Sequence, residues 1–208
     1  MVRFFQEGGF FMYPIAVILA IGLAIALERW FYLSTAKRSN RAAFDEGILP
    51  ILRKRDYKSA LKYSNESQTA IAAIMGAGLS RLVNGSRRDE VEFAMEEGLM
   101  ETLPRLEKRT PYLATLANVS TLLGLLGTII GLIAAFTAVA NADPAEKASL
   151  LSQSISVAMN TTAFGLMAAI PLLLFHAVLQ TKTNEIVDSF EMAGVKLLNL
   201  ISSQTTND

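Results

Sequence analysis

The chain predicts an all-α polytopic membrane protein with three transmembrane helices, the second and third long enough to extend into the cytoplasm. Three observations carry that prediction. First, only 18% of the 208 residues are charged and 51% are hydrophobic, below the roughly 25% charge content of an ordinary soluble domain. Second, the charges avoid three stretches, residues 8–27, 110–142 and 148–181. Third, the last two of these stretches run 33 and 34 residues, whereas a span needs about 20 mostly apolar residues and a ~30 Å core is crossed at ~1.5 Å per residue.

The first span is placed at residues 10–32. Pro14 falls in its first turns, where a missing N–H costs least. Trp30 and Tyr32 mark the far interface as an aromatic belt, with Glu28 and Arg29 read as a snorkelling pair at the headgroups. The apolar run ends in Glu28-Arg29-Trp30 without a small-residue cleavage site, so it is expected to be retained as a helix rather than removed as a signal peptide.

Orientation follows from the basic residues. Of 19 Lys and Arg, 14 lie in residues 37–109, and the flanking Lys37, Arg38, Arg41, Arg105, Lys108 and Arg109 place that segment inside. The expected division is a periplasmic N-terminus at 1–9, spans at 10–32, 111–140 and 151–180, and a periplasmic turn at 141–150. A cytoplasmic helical domain then fills 33–110, and a cytoplasmic helix and tail fill 181–208.

Within 33–110 the pattern is helical. Ile71, Ile74, Met75, Leu79 and Leu82 recur at helix spacing. Asn84-Gly85 is a break, and Ser86 with Asp89 three residues on suggests a capping box. Glu90, Glu92, Glu96, Glu97 and Glu101 form an acidic, solvated face. Pro104 and Pro111 are expected to bend the helix that follows.

The two later spans carry small-residue stripes. In the second, Ala117, Ser120, Gly124, Gly127, Gly131, Ala134 and Ala138 share a face, with Thr121 and Thr128 beside it. In the third, Ser154, Ala158, Thr161, Gly165 and Ala168 do the same, and Pro171 is expected to kink the helix. Small residues in a membrane helix let a second backbone approach, and hydroxyls can pack or line a polar path. Two readings stand here: tight packing with threonines bonded to their own backbone, or an ion path containing Thr161 and Thr162.

Several classes are excluded or disfavoured. Zero net charge gives no pointer to nucleic acid, and the absence of cysteine removes disulfides and thiol chemistry. No nucleophile–base pair, metal-ligand spacing or phosphate-cradling glycine loop stands out, so an enzyme is disfavoured and no cofactor is expected. His176 is read as interfacial. Spans two and three contain no Asp, Glu, Lys or Arg, yet a proton path usually needs a titratable group. For protons the titrating group must come from another polypeptide; for sodium, hydroxyl and carbonyl oxygens could replace water around the cation, but a nearby anion would still help, so either ion implies a partner.

GLLGTIIGL in span two and ISVAMNTTAFGLMAAIP in span three resemble the MotA/TolQ/ExbB family of ion-driven motor subunits. ALERW at the end of span one and the order of parts are similar to its ExbB/TolQ branch, over essentially the whole chain. The resemblance implies a homopentamer in the bacterial inner membrane. Its central pore would hold a single-span ExbD/TolR-like partner carrying a membrane aspartate. It also implies transport of protons, with sodium as the alternative, coupled to work across the periplasm. Thr128 matches the threonine of the family's GxxGT motif and Thr162 the threonine of span three. Together with Thr161 and Ser154 they are the expected ion-pathway residues, with Gly124, Gly127, Gly131, Ala158 and Gly165 as pore packing. One departure touches ion choice. Val157 stands where ExbB and TolQ generally carry glutamate, and the Thr161-Thr162 pair looks more like sodium-driven flagellar stators.

Overall fold

The computed structural model describes residues 9–140 and 142–205, with side chains described as far as 202. Residues 1–8 of the expected N-terminal segment, Asn141 of the expected turn and 206–208 of the expected tail lie outside the described residues. All regular structure among the described residues is helical: α1 Met12–Ala42, a π-helical segment Ala43–Ile48, α2 Leu49–Arg53, α3 Tyr57–Glu66, α4 Ala70–Val83, α5 Arg88–Glu107, α6 Thr110–Ala140 and α7 Lys147–Thr205. Three helical stretches are long and apolar enough to cross a membrane. The chain is an all-helical membrane protein.

Two compact units share these helices. Among the described residues, the first joins the chain up to Arg29 to the stretch from Arg109 to Val178, and the second joins Trp30–Lys108 to the stretch from Leu179 onward. The first unit is built on small residues. Ala26, Ala117, Ala135, Ala158, Ala168 and Ala169 are buried, with Met12, Ile15, Leu113 and Leu172 as the large members. Its large side chains mostly face outward. Leu122, Leu125, Ile129, Ile133 and Phe136 of α6, and Met159, Leu166, Met167, Ile170 and Leu174 of α7, are all exposed. A water-soluble fold would hide them; lipid and neighbouring helices are their natural surroundings.

The second unit packs like a soluble helical domain. Leu33, Phe44, Ile48, Leu52, Ile71, Met75, Leu79, Val91 and Met95 form its core with Ile186, Phe190 and Leu197 of α7. Asn40, itself buried, accepts a 2.8 Å hydrogen bond from the Ile71 N–H and donates one to the Ala36 carbonyl. It thereby caps α4, whose own N-cap residue Thr69 makes no side-chain cap bond. Asp56 caps α3 by accepting from the Ser59 N–H at 3.0 Å. Hydrogen bonds from the Ser59 side chain and backbone hold the Asp56 carboxyl below its usual range. Lys37 pairs with Glu185 at 2.7 Å, while Lys182 donates to Ser34 Oγ at 2.9 Å and lies 3.4 Å from the Trp30 ring centroid.

Two local expectations are corrected. Helix α5 starts at Arg88 with Arg87 as N-cap and no side-chain cap bond, so the expected Ser86 capping box does not form. Ser86 lies one residue outside, closing the preceding turn onto the Arg81 carbonyl. Pro104 remains inside α5. The chain breaks between the two prolines at Arg109, which has φ +68, and Pro111 enters α6 in its first turn, where it disturbs no hydrogen bond. Glu28 pairs with Arg109 at 3.2 Å, and Arg29 is only 3% exposed, so the two are not a snorkelling pair. Pro171 lies inside α7, as expected from its place in the third span.

Candidate functional site: the paired hydroxyls of α6 and α7

The two small-residue stripes meet each other. A Cβ placed on Gly124 would lie 3.2 Å from Thr162 Cα and 3.3 Å from Gly165 Cα. One placed on Gly165 would lie 2.7 Å from the Ser120 carbonyl oxygen and 3.0 Å from Gly124 Cα. One on Gly131 would lie 2.9 Å from Ala158 Cβ, and one on Gly127 would meet the Thr161 methyl. Glycine is needed at 124 and 165 because the opposing atoms are backbone, which cannot rotate aside. All five expected packing residues therefore sit on the α6–α7 contact.

This close approach brings Thr128 and Thr162 together. Their hydroxyls are hydrogen-bonded to each other. Thr162 Oγ1 donates across the pair to the Gly124 carbonyl at 2.9 Å. Thr128 Oγ1 lies 3.2 Å from the same carbonyl and 3.4 Å from that of Ala158. Two hydroxyl protons thus face two carbonyl oxygens and each other. A hydroxyl has one proton and two acceptor lone pairs, so several arrangements satisfy the cluster almost equally. Both side chains are half-buried, at the edge of the contact rather than sealed within it.

The other expected pathway residues are placed differently. Thr161 is buried, with its hydroxyl donating to the Val157 carbonyl at 3.1 Å and its methyl against Gly127. It fills the packing face, apart from the Thr128–Thr162 cluster. Ser154, half-buried, precedes Thr162 by eight residues, about 12 Å of helix rise. Val157 lies against Gly9. Pro171 lies nine residues beyond Thr162 and leaves the Met167 carbonyl without its helical donor.

Two features escaped the sequence reading. Gly22 of α1 is a close-approach point: a Cβ there would press on the Leu172 side chain, with Cδ1 at 2.9 Å. A lone glycine inside an apolar span was the only signal. Ser120 belongs to the recognised stripe, yet its hydroxyl is buried with no hydrogen-bond partner, which periodicity cannot show. Among the described residues no three His, Asp or Glu side chains converge as a metal set.

Fold and site together define a helical membrane protein with a polar cluster on a close-packed helix pair. A profile of the MotA/TolQ/ExbB proton channel family matches residues 66–192, more than half of the chain, and the chain belongs to that family. A putative biopolymer transport protein ExbB homolog of Methanothermobacter thermautotrophicus is 30% identical over 92% of this chain and 67% of its own length. A putative biopolymer transport protein ExbB-like 3 of Synechocystis sp. is 30% identical over 85% of this chain and 83% of its own. The Tol-Pal system protein TolQ of Haemophilus influenzae is 36% identical over 47% of this chain and 42% of its own. These are ExbB- and TolQ-type relatives, in agreement with the branch that the span motifs resemble.

Proposed function

We propose that this chain is the ExbB/TolQ-like subunit of an inner-membrane, ion-driven motor. The observation that carries the proposal is the Thr128–Thr162 hydroxyl pair with the Gly124 and Ala158 carbonyls around it. Membership of a proton channel family and kinship with ExbB and TolQ proteins support it. Five copies surround a central pore, with Thr128 and Thr162 facing the ion path. The N-terminus is periplasmic and the C-terminus cytoplasmic. A single-span ExbD/TolR-like partner in the pore supplies the aspartate that the second and third spans lack. Ion flow is coupled to work across the periplasm, as in TonB-type import or envelope maintenance. Each charge delivers about 2.3 kcal/mol per 100 mV, so one stroke needs several ions.

The ion is the proton, as in the family's name. Sodium is the second reading, and a specific observation favours it: two hydroxyl and two carbonyl oxygens gather at one place, with Val157 rather than a carboxylate upstream. Such oxygens can replace water around a hard cation. The test uses vesicles holding the assembled complex with its partner. Replacing sodium by potassium at fixed pH leaves transport unchanged if protons couple. Loss of transport on that replacement assigns sodium. Transport in neither medium, from an intact complex, would leave a passive scaffold.

A further inference from the structure

The second unit carries an apolar groove and a basic tip whose charges are both left unbalanced. The groove, a cavity of about 150 Å³, lies between α4, α5 and the end of α7. Met95, Leu99, Phe190 and Val195 form its apolar walls, and Glu92, Glu96 and Glu191 stand around it. No Lys or Arg lines it. A water occupies about 30 Å³ in the liquid, so the groove has room for about five waters or one long side chain. Beside it Phe93 and Met192 are 69% and 60% exposed.

The tip is Arg53-Lys54-Arg55, at the end of α2 and all exposed. Arg55 has φ +61, and the Asp56 N–H reaches back to the Ile51 carbonyl at 3.4 Å. This is a helix-ending turn that glycine closes at lower backbone cost. A non-glycine residue kept in that conformation is a pointer to function. Among the described residues none of the six charged side chains, Arg53, Lys54, Arg55, Glu92, Glu96 or Glu191, forms an ion pair within the chain. Some other charges of the unit are paired locally. Arg41 pairs with Asp45, Lys62 with Glu66 and Arg87 with Glu90, and Arg88 precedes Asp89. The acid next to the tip, Asp56, is engaged in capping Ser59.

We propose that the groove receives the Arg53–Arg55 tip of a second copy of this chain. The aliphatic stem of an arginine or lysine lies on Met95, Leu99 and Phe190 while its charged head meets the glutamates, as amphipathic side chains do. Groove against groove would oppose three carboxylates to three, so a two-fold pairing through this surface is disfavoured. Tip into groove joins unlike surfaces, the head-to-tail contact that closes into a ring. This inference rests on the homo-oligomer proposed above and assigns one of its contacts.

The cysteine-free sequence gives a clean test in the full-length chain in its membrane complex. Lys54→Cys and Glu96→Cys are introduced together and the assembled complex is oxidised. The expected result is a ladder of cross-linked species beyond the dimer, missing from both single-cysteine variants. Arg53→Glu with Arg55→Glu in that background abolishes the ladder, and adding Glu92→Lys with Glu191→Lys restores it. A complex of unchanged size with no ladder, or a ladder indifferent to charge reversal, overturns the tip-in-groove contact and leaves the proposed motor standing. Capture of a different subunit by Glu96→Cys overturns it too, by giving the groove another occupant. A chain that stays monomeric in its native complex overturns both this contact and the proposed assembly.

Discussion

Thr128 and Thr162 each have an easy local alternative, a hydrogen bond to the carbonyl four residues back. Thr121 and Thr161 take that option, to Ala117 and Val157. Thr162 does not: it donates across the helix pair to Gly124. The difference follows from Gly124 and Gly165, which let the backbones approach until a hydroxyl of one helix reaches a carbonyl of the other. Gly165→Ala is therefore predicted to be costly. The new methyl would stand 2.7 Å from the Ser120 carbonyl, and overpacking of this kind costs about 1–3 kcal/mol. Thermal unfolding in detergent checks it, with Gly85→Ala as a contrast. No atom lies within 4 Å of the Cβ site at Gly85, but its φ of +80 disfavours alanine, so that variant loses stability through backbone strain alone. A Gly165→Ala protein as stable as the parent would show that the helices are not held this close.

Asn40 determines how one element begins. It lies on α1 and caps α4 from 31 residues away, so neither local propensity nor periodicity marks it. Asn40→Ala leaves the Ile71 N–H without its partner, and loss of a cap costs about 1 kcal/mol. Asn40→Asp keeps an acceptor for that N–H and is predicted to retain more stability; equal losses in the two variants would contradict the capping role. At the junction of α1 and α7, Lys37 lowers the Glu185 carboxyl below the ordinary 4.5, through its hydrogen bond and then its charge. A depressed folded-state value means this pair contributes above the unfolded value and is lost as pH falls through the folded one. Unfolding measured from pH 7 downward is predicted to lose a small increment below about pH 4.5, and Glu185→Gln removes that increment. The effect is small because both side chains are half-exposed. An acid limb identical in the two proteins would remove Lys37–Glu185 from the account.

The large-scale plan was legible because it is written in composition and period. Three uncharged stretches announced three helices, and two small-residue stripes marked faces that another backbone could approach, though not that they meet each other. The partners of particular residues were not legible. Gly22 against Leu172, Arg109 against Glu28 and Asn40 under Ile71 join positions 31 to 150 residues apart, and a single sequence does not record which distant residue a side chain meets. The capping pattern at Ser86 misled for a related reason: its spacing fits, but the helix begins two residues later. The structure brings the hydroxyls of Thr128 and Thr162 together. Thr161 is set apart, with its hydroxyl on the Val157 carbonyl of its own helix, because adjacent threonines point in different directions on a helix. Across the molecule, the large exposed side chains of α6 and α7 need lipid or neighbouring subunits, while the small ones lock the pair whose hydroxyls remain at its edge.

Ion flux through Thr162→Val in the assembled, partner-containing complex tests the central claim most directly. Polar contacts between membrane helices average roughly 0.6 kcal/mol, so the variant is expected to assemble with nearly unchanged unfolding, and Thr128→Val likewise. The account predicts that flux is lost in both variants while complex size and thermal stability stay close to those of the parent. Undiminished flux in an intact Thr162→Val complex would contradict it and leave the paired threonines as packing alone.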